Sequence, residues 1–280
     1  MPGARDPRYV LARSVLLDAL DALGDQRNAV IVVGAQAVYL HTGATDMAVP
    51  EFTLDADITL DPALLYKVPE MEAAMLGAGF VRGNTVGVWI ASRSMAGVPA
   101  KVDVDLMVPD AVGGPGRRAA RLHGHAKEVA RKTRGLEAAL IDKAVVTIRA
   151  LDSRDLRAFP VAIAGPAALL IAKLHKIAER VDERGQRRLE DKDALDILRL
   201  LQAAETPALA ATITTLLQAE VARDVTREAL AILREHFTDV RAAGPQMAVR
   251  AAGALMPADV VAASCVALTS DLLHALDADK

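Results

Sequence analysis

Residues 52–60 read Phe52-Thr53-Leu54-Asp55-Ala56-Asp57-Ile58-Thr59-Leu60, and apolar side chains alternate with polar ones along them. Side chains alternate between the two faces of a β-strand, so this pattern predicts a strand with one apolar face. Asp55 and Asp57 then share the opposite face. Carboxylates at this spacing repel each other, and strands disfavour Asp. A bound cation would offset the repulsion, whereas a solvated strand face would tolerate it without a ligand.

A second acidic strand is predicted at Lys101-Val102-Asp103-Val104-Asp105-Leu106-Met107. Val102, Val104 and Leu106 form its apolar face. Asp103 and Asp105 share the opposite face. Carboxylate oxygens suit Mg²⁺, which proteins usually hold with one or two carboxylates and the phosphates of a substrate. Two acidic strands in one chain favour a divalent-cation site over two separate solvated faces.

A short strand and a glycine turn precede the first acidic strand. The run from Ala29 to Val33 is β-branched and predicts a buried strand, which ends at Gly34-Ala35. The apolar spacing that follows, to about His41, predicts a short helix. The start of a helix exposes backbone N–H groups that can bind phosphate. A glycine turn is common by itself, so the inference depends on the order of strand, turn, helix and two acidic strands.

This order resembles the nucleotidyltransferase superfamily, whose fold is shared with DNA polymerase β. In that superfamily a Gly-Gly or Gly-Ser turn is followed by Asp-x-Asp and a third carboxylate, and the carboxylates hold two metal ions around a nucleoside triphosphate. Gly34-Ala35 is similar to this turn, with Ala35 at the position usually held by Gly or Ser. The separation between Gly34 and Asp55 is longer than the common one, and an insertion from Gly43 to Pro50 would explain it.

Two predicted helices narrow the resemblance. The first begins at Pro166, and Lys173, Lys176 and Arg180 recur on one of its faces. The second runs from Arg188 to Leu201 and contains Lys192-Asp193-Ala194-Leu195-Asp196. With the acidic strands, these helices resemble the AbiEii type of nucleotidyltransferase over roughly the span from Val30 to Leu201. Surface salt bridges, such as one between Lys192 and Asp196, are the structural alternative.

The resemblance implies a metal site of three carboxylates. Asp55 and Asp57 would bind one or two Mg²⁺ ions, and Asp105 would complete the site and act on the attacking hydroxyl. Spacing alone does not decide whether Asp105 or Asp103 is the third carboxylate. We choose Asp105 because Val104-Asp105-Leu106-Met107 is more similar to the third acidic strand of the family.

The resemblance also implies residues that bind the nucleotide. Gly34 and Ala35 would approach the phosphates through their backbone, and Lys173 and Arg180 would bind phosphate oxygens. Asp193 would orient Lys173 or bind the nucleotide. The catalytic set is therefore Asp55, Asp57, Asp105, Lys173 and Asp193.

The function implied by the resemblance is transfer of an NMP from an NTP to an acceptor, with tRNA as the first acceptor to test. AbiEii-type proteins are toxins of toxin–antitoxin and phage-defence systems, so a cognate antitoxin protein is an expected partner. Three alternatives stay open. The same fold could modify a small molecule such as an antibiotic, could modify a protein, or could have lost catalysis and serve as a module that binds RNA or a partner.

Composition is in line with an intracellular enzyme. The chain has 280 residues, of which 52% are hydrophobic, enough for a substantial core and two domains. Its one cysteine, Cys265, excludes an internal disulfide, and the first residues lack the pattern of a signal peptide. We therefore expect a cytoplasmic protein without a membrane span. Aromatic residues make up only 3%, which disfavours stacking platforms for single-stranded nucleic acid.

A basic stretch stands out in a chain of net charge −3. It runs from Arg117 to Arg134 and contains seven Lys or Arg residues against one acid, Glu128. It predicts either a solvated helix face or a surface that binds a polyanion such as RNA or the NTP phosphates. His123 and His125 lie within it, but they lack the Cys or carboxylate pattern of a zinc site.

The predicted elements define an α+β fold. A nucleotidyltransferase-like domain with a mixed sheet and flanking helices is expected over residues 1–165. An all-helical C-terminal domain is expected over residues 166–280, because no convincing strand pattern follows Pro166.

Overall fold

The computed structural model of the protein describes residues 6–43, 49, 51, 53–95, 97–182 and 191–278. The expectations on Phe52, on most of the insertion from Gly43 to Pro50 and on residues 188–190 lie outside these ranges. The chain divides into two compact units. The first comprises residues 1–37, 50–136 and 143–164, and the second comprises residues 38–49, 137–142 and 165–280.

Eight strands in the described residues form one open, mixed sheet. They are β1 (Val30–Val33), β2 (Asp55–Leu60), β3 (Val81–Arg82), β4 (Val88–Met95), β5 (Val98–Pro109), β6 (Arg131–Thr133), β7 (Lys143–Arg149) and β8 (Ala158–Ala164). The strand order is β3-β4-β5-β2-β1-β8-β7, and β6 pairs with the end of β5. β1 is antiparallel to β2 and parallel to β8, whereas β2 is parallel to β5. The expected α+β class is thus confirmed.

The interior strands follow from the sequence pattern. All four residues of β1 are buried, as suits a β-branched strand with neighbours on both sides. In β2 and β5 the predicted apolar faces are buried, including Ala56, Ile58 and Val104, but Leu54, which was expected on the same face, precedes β2 and is exposed. Asp55 and Asp103, on the opposite face, are exposed. The alternation therefore directs the acidic residues away from the packed side of the sheet.

Among the described residues, three α-helices belong wholly or partly to the first unit: α1 (Pro7–Leu23), α2 (Gly34–Thr42) and α3 (Met71–Gly77). α1 buries Leu16, Leu17 and Leu20 completely and packs on α3 and on the strands β2, β4 and β5. The boundary between the two units falls within α2, after Ala37. The first turn of α2 therefore belongs to the same unit as the acidic strands.

The second unit contains helices. They are α4 (Pro166–Asp182), α5 (Lys192–Ala203), α6 (Thr206–Gln218), α7 (Glu220–Phe237), α8 (Ala243–Ala252) and α9 (Ala258–Ala278). No strand follows Ala164 in the described part of the chain. α4 begins where the sequence predicts, because Pro166 suits a first turn and Oδ2 of Asp142 accepts a hydrogen bond from the Ala168 N–H at 2.8 Å.

The basic stretch is not a helix, so a solvated helix face is the wrong interpretation. Residues 117–130 form turns and irregular chain, and Arg131 to Thr133 form β6. Glycines at 113, 114 and 116 precede the stretch, and backbone hydrogen bonds join Lys132 to Arg118 and Ala120 to Ala130. These bonds fold the stretch back on itself beside the end of β5. A helix could not supply that pairing.

α9 is long and apolar enough, by length and composition, to cross a membrane. A third of its most apolar window is buried in the fold, and core helices of soluble proteins pass the same test. α9 is the one helix of this kind among the described residues, and a single such helix is weak evidence for a membrane span. The two compact units are consistent with a soluble protein.

Candidate functional site

Two acidic residues on adjacent parallel strands form the centre of the candidate site. Asp57 of β2 lies opposite Asp105 of β5, and Asp55 lies opposite Asp103. Paired residues on neighbouring strands project to the same face, so the four carboxylates share one face of the sheet. Asp57 and Asp105 are half-buried, whereas Asp55 and Asp103 are exposed. Asp105 was predicted as the third carboxylate in preference to Asp103, and the strand register makes Asp105 the neighbour of Asp57.

Gly34 makes room for the carboxylate of Asp57. A Cβ atom at position 34 would lie 1.9 Å from Oδ2 of Asp57 and 2.5 Å from its Cγ. The backbone of Gly34 also has φ +69°, in the left-handed region that other residues adopt with strain. Both observations require glycine here. The turn between β1 and α2 thus places the start of a helix directly against an acidic side chain of β2.

Gln36, in the first turn of α2, fixes the position of this turn. Its side-chain amide donates hydrogen bonds at 3.1 Å to the carbonyl oxygens of Ala12 and Asp55, and its Oε1 accepts one at 2.8 Å from Nε of Arg13. Gln36 and Arg13 are both buried. One side chain therefore ties α1, the first turn of α2 and the start of β2 together. Ala35, between Gly34 and Gln36, is also buried.

Arg131 of β6 forms an ion pair with Asp105. Its Nη2 donates to Oδ2 of Asp105 at 2.9 Å, and its Nη1 donates to Oγ1 of Thr133 at 3.0 Å. The second carboxylate oxygen of Asp105, Oδ1, is buried and has no hydrogen-bond donor within the described structure. A buried acceptor without a donor costs free energy, so Oδ1 is suited to receive a ligand.

The environment of Asp103 raises the pKa of its carboxyl group above the ordinary value. Partial desolvation of the carboxyl group of this otherwise exposed residue is the largest cause, the negative charge of Asp105 adds to it, and the positive charge of Lys101 opposes it. The charge of Asp105 therefore disfavours ionisation of Asp103 on this face. A divalent cation among the carboxylates would relieve this repulsion.

The residues present fit Mg²⁺ through Asp57 and Asp105, which lie opposite each other, whereas a metal-binding role for Asp55 stays a prediction. Within the described ranges, no three His, Cys, Asp or Glu side chains are grouped closely enough to hold a metal ion. Asp57 and Asp105 supply carboxylate oxygens on neighbouring strands. Oδ1 of Asp105 accepts no hydrogen bond from the described residues. Mg²⁺ is commonly held by one or two carboxylates together with substrate phosphates. This pair of carboxylates suits that arrangement.

Lys173, Arg180 and Asp193 lie in the second unit, where they form a buried ionic cluster. Nζ of Lys173 donates to Oδ1 of Asp193 at 2.5 Å and to Oδ2 of Asp196 at 2.6 Å. Nη2 of Arg180 lies 2.5 Å from Oδ2 of Asp193. Lys173 is only 4% exposed. The structure thus brings these three residues together and joins α4 to α5 through them.

The charges of this cluster stabilise one another. Burial acts to lower the pKa of Lys173, but the charges of Asp193 and Asp196 outweigh it and hold the pKa above its ordinary value. Burial acts to raise the pKa of Asp193, but the neighbouring cations, of which Lys173 has the largest effect, hold that pKa well below its ordinary value. Phosphate binding by Lys173 stays a prediction, and it would require the ammonium group to leave two carboxylates. Arg180 is more accessible, with 25% of its side chain exposed.

The basic stretch contains both paired and exposed cations. Arg131 binds Asp105, and Lys132 pairs with Asp110 at 3.0 Å. Five further cations in the stretch are exposed: Arg117, Arg118, Arg121, Lys127 and Arg134. The stretch therefore has an exposed basic part in the same unit as the acidic strands. His125 is engaged elsewhere, since its Nδ1 accepts from the Met71 N–H and its Nε2 lies 2.8 Å from the Tyr66 carbonyl oxygen.

Comparison with known proteins does not assign a family. Neither the models of protein families nor the curated proteins contain a match to the chain.

Arg131 and Gln36 are the site residues that the sequence did not reveal. Arg131 was one of several cations in the basic stretch, and β6 is too short to produce an alternating pattern. Gln36 carried one signal, since a polar residue stood in the first turn of an otherwise apolar helix. A polar residue at such a buried position usually has hydrogen-bonding partners.

Proposed function

We propose that the protein is a Mg²⁺-dependent nucleotidyltransferase with a nucleotidyltransferase-like fold of the AbiEii type. The pairing of Asp57 with Asp105 on parallel strands, with the Cα of Gly34 against the Asp57 carboxylate, is the observation that carries this proposal. The order of strand, glycine turn, helix and two acidic strands supports it.

Each residue of the site has a role in this proposal. Asp57 and Asp105 would hold the cation, and the N–H groups at the start of α2 would bind phosphate oxygens. Mg²⁺, when bound, would neutralise the triphosphate and stabilise charge on the departing pyrophosphate. The acceptor hydroxyl oxygen would form the new bond to the α-phosphorus while the bond to pyrophosphate breaks, and the hydroxyl proton would pass to solvent. Gln36 would keep the phosphate-binding turn and the acidic strand in register.

The ionic cluster of α4 and α5 has a different role in this proposal. Lys173 and Asp193 are buried and bound to each other, so we assign them to the stability of the second unit. Arg180 is the member of the cluster whose exposure suits contact with a phosphate.

The acceptor we favour is an RNA, with tRNA the first to test, in a cytoplasmic toxin controlled by an antitoxin protein. The five exposed cations of the basic stretch support a polyanionic acceptor, because they lie in the same unit as the acidic strands. Phosphate contacts of this kind weaken with salt. We therefore expect transfer to RNA to decline steeply as the salt concentration rises.

Label transfer tests the activity. The protein is incubated with each α-radiolabelled NTP, Mg²⁺ and total cellular RNA, and in parallel with an aminoglycoside. Asp57→Asn should reduce transfer by roughly 100-fold or more, because several kcal/mol of charge stabilisation depend on the metal site. Asp21→Asn, an equal change at an exposed position of α1, should leave transfer unchanged. Label on the aminoglycoside instead of on RNA would show that the acceptor is a small molecule and not RNA. Equal activity of Asp57→Asn and wild type would refute the proposal.

A non-catalytic module that binds RNA or a partner protein is the second candidate. It is favoured by the ion pair between Arg131 and Asp105, which neutralises one of the two carboxylates, and by Ala35 in place of Gly or Ser. RNA binding that persists in excess chelator, together with no transfer of label from any NTP, would select this candidate.

A further inference from the structure

The ion pair between Arg131 and Asp105 is the most informative contact that the proposed function does not use. The two side chains are similarly accessible, at 24% and 23%. Arg131 lies on β6, whose register places it beside Met107, two residues beyond Asp105 on β5. Its guanidinium reaches back along the strand to Asp105 and is held on its other side by Thr133. Arg131 is thus shared between one acidic and one neutral partner.

A single carboxylate oxygen of Asp105 is occupied by this pairing. Oδ2 accepts the hydrogen bond from Arg131, whereas Oδ1 has no donor among the described residues. Asp57 lies opposite Asp105, and Asp55 and Asp103 form the next pair on the same face, two residues along the strands. A cation placed here reduces the repulsion of the acidic face. Arg131 and a divalent cation would therefore compete for the same negative charge.

We propose that Arg131 is the resident counter-ion of Asp105, that a divalent cation displaces it, and that the released guanidinium binds a phosphate group of the substrate. This rests on the proposed function and adds a phosphate-binding residue to it. Thr133 would keep the guanidinium close to the site after release, since its bond to Nη1 does not depend on Asp105. A guanidinium offers paired donors that match phosphate oxygens, as it does carboxylate oxygens.

β6 itself supplies a matched control. Lys132 is the next residue, so its side chain projects to the opposite face of the strand. It also carries one positive charge and one ion pair, to Asp110, and it donates to the carbonyl oxygens of Gly114 and Gly116. Lys132→Ala therefore removes the same charge and a comparable contact without removing a partner of Asp105.

The test is calorimetric titration of MnCl₂ into wild type, Arg131→Ala and Lys132→Ala. Arg131→Ala should bind Mn²⁺ on the order of tenfold more tightly than wild type, because the competing cation is gone. Lys132→Ala should bind Mn²⁺ as wild type does. With saturating Mn²⁺, inorganic tripolyphosphate should bind Arg131→Ala about tenfold more weakly, and Arg131→Lys should recover part of that loss. If Arg131→Ala does not fold, Arg131→Gln takes its place with the same expectations.

The outcomes separate this inference from the proposed function. Equal or weaker Mn²⁺ binding by the neutral Arg131 variant, with clear binding by wild type, overturns the counter-ion role and leaves the metal site intact. Unchanged tripolyphosphate affinity overturns the phosphate role. Failure of both wild type and the neutral Arg131 variant to bind Mn²⁺ overturns the metal-dependent function itself, and the inference with it.

Discussion

Substitution of Gly34 by alanine probes the contact between the glycine turn and the acidic strand. The added Cβ would lie 1.9 Å from Oδ2 of Asp57, and real Cβ atoms essentially never approach closer than 3.0 Å. The carboxylate must therefore retreat by at least 3.0 minus 1.9, or 1.1 Å, unless the turn itself moves. Either response separates Asp57 from its place beside Asp105.

The size of the effect follows from this displacement. A misplacement of about 1 Å in a catalytic group can cost on the order of 100-fold in rate. The positive φ of Gly34 adds a backbone penalty of roughly 1–2 kcal/mol, which lowers the free energy of unfolding. We therefore expect Gly34→Ala to lose about 100-fold in nucleotide transfer and to bind Mn²⁺ more weakly, while it still folds.

Gly79→Ala separates the two contributions. Gly79 has φ +83°, so alanine there meets a similar backbone penalty, but an added Cβ finds nothing within 4 Å. Both variants are compared by urea denaturation, by Mn²⁺ calorimetry and by label transfer. We expect similar losses of stability, with the loss of transfer and metal binding confined to Gly34→Ala. Transfer by Gly34→Ala within about threefold of Gly79→Ala would refute the role given to this contact.

Three further outcomes follow from single residues. Lys173→Met removes the ammonium group that pairs with the buried carboxylates of Asp193 and Asp196, so we expect the free energy of unfolding, measured by urea denaturation, to fall by about 3–5 kcal/mol. Lys176→Met should lower it much less, and equal losses would contradict the buried cluster. Burial raises the pKa of Cys265 to about 12, so a thiol reagent at pH 8 should label the protein in urea but not the native protein. The folded-state pKa of Asp103 is raised above 3.8, so its contribution to stability is present below that pH and is lost as pH rises through the folded-state pKa. Asp103→Asn should therefore gain stability relative to wild type as pH rises from about 3 to 6, and a constant difference would contradict the raised pKa.

Much of the fold was predictable because the patterns are local. The β-branched run of β1 and the alternation in β2 and β5 each specify a strand without reference to distant residues. Pro166 likewise marks the start of α4. The sequence also indicated which faces carry Asp55, Asp57, Asp103 and Asp105. It did not indicate that β2 and β5 are parallel neighbours, because strand pairing depends on the whole sheet.

The parts of the site that escaped prediction depend on contacts between distant residues. Arg131 meets Asp105 only because β6 pairs with the end of β5, and three residues are too few to signal a strand. Lys173 was expected to face phosphate because its spacing placed it with other cations. Spacing on a helix does not reveal that Asp193 and Asp196 of α5 bury that ammonium group.

Anomalous scattering from crystals grown with Mn²⁺ and a non-hydrolysable NTP analogue tests the two-carboxylate site. We expect an anomalous peak at about 2.1 Å from oxygens of both Asp57 and Asp105, with Arg131 turned from Asp105 to a phosphate. A map without a peak at these residues, with Arg131 still bound to Asp105 in the presence of nucleotide, would contradict the metal-dependent function.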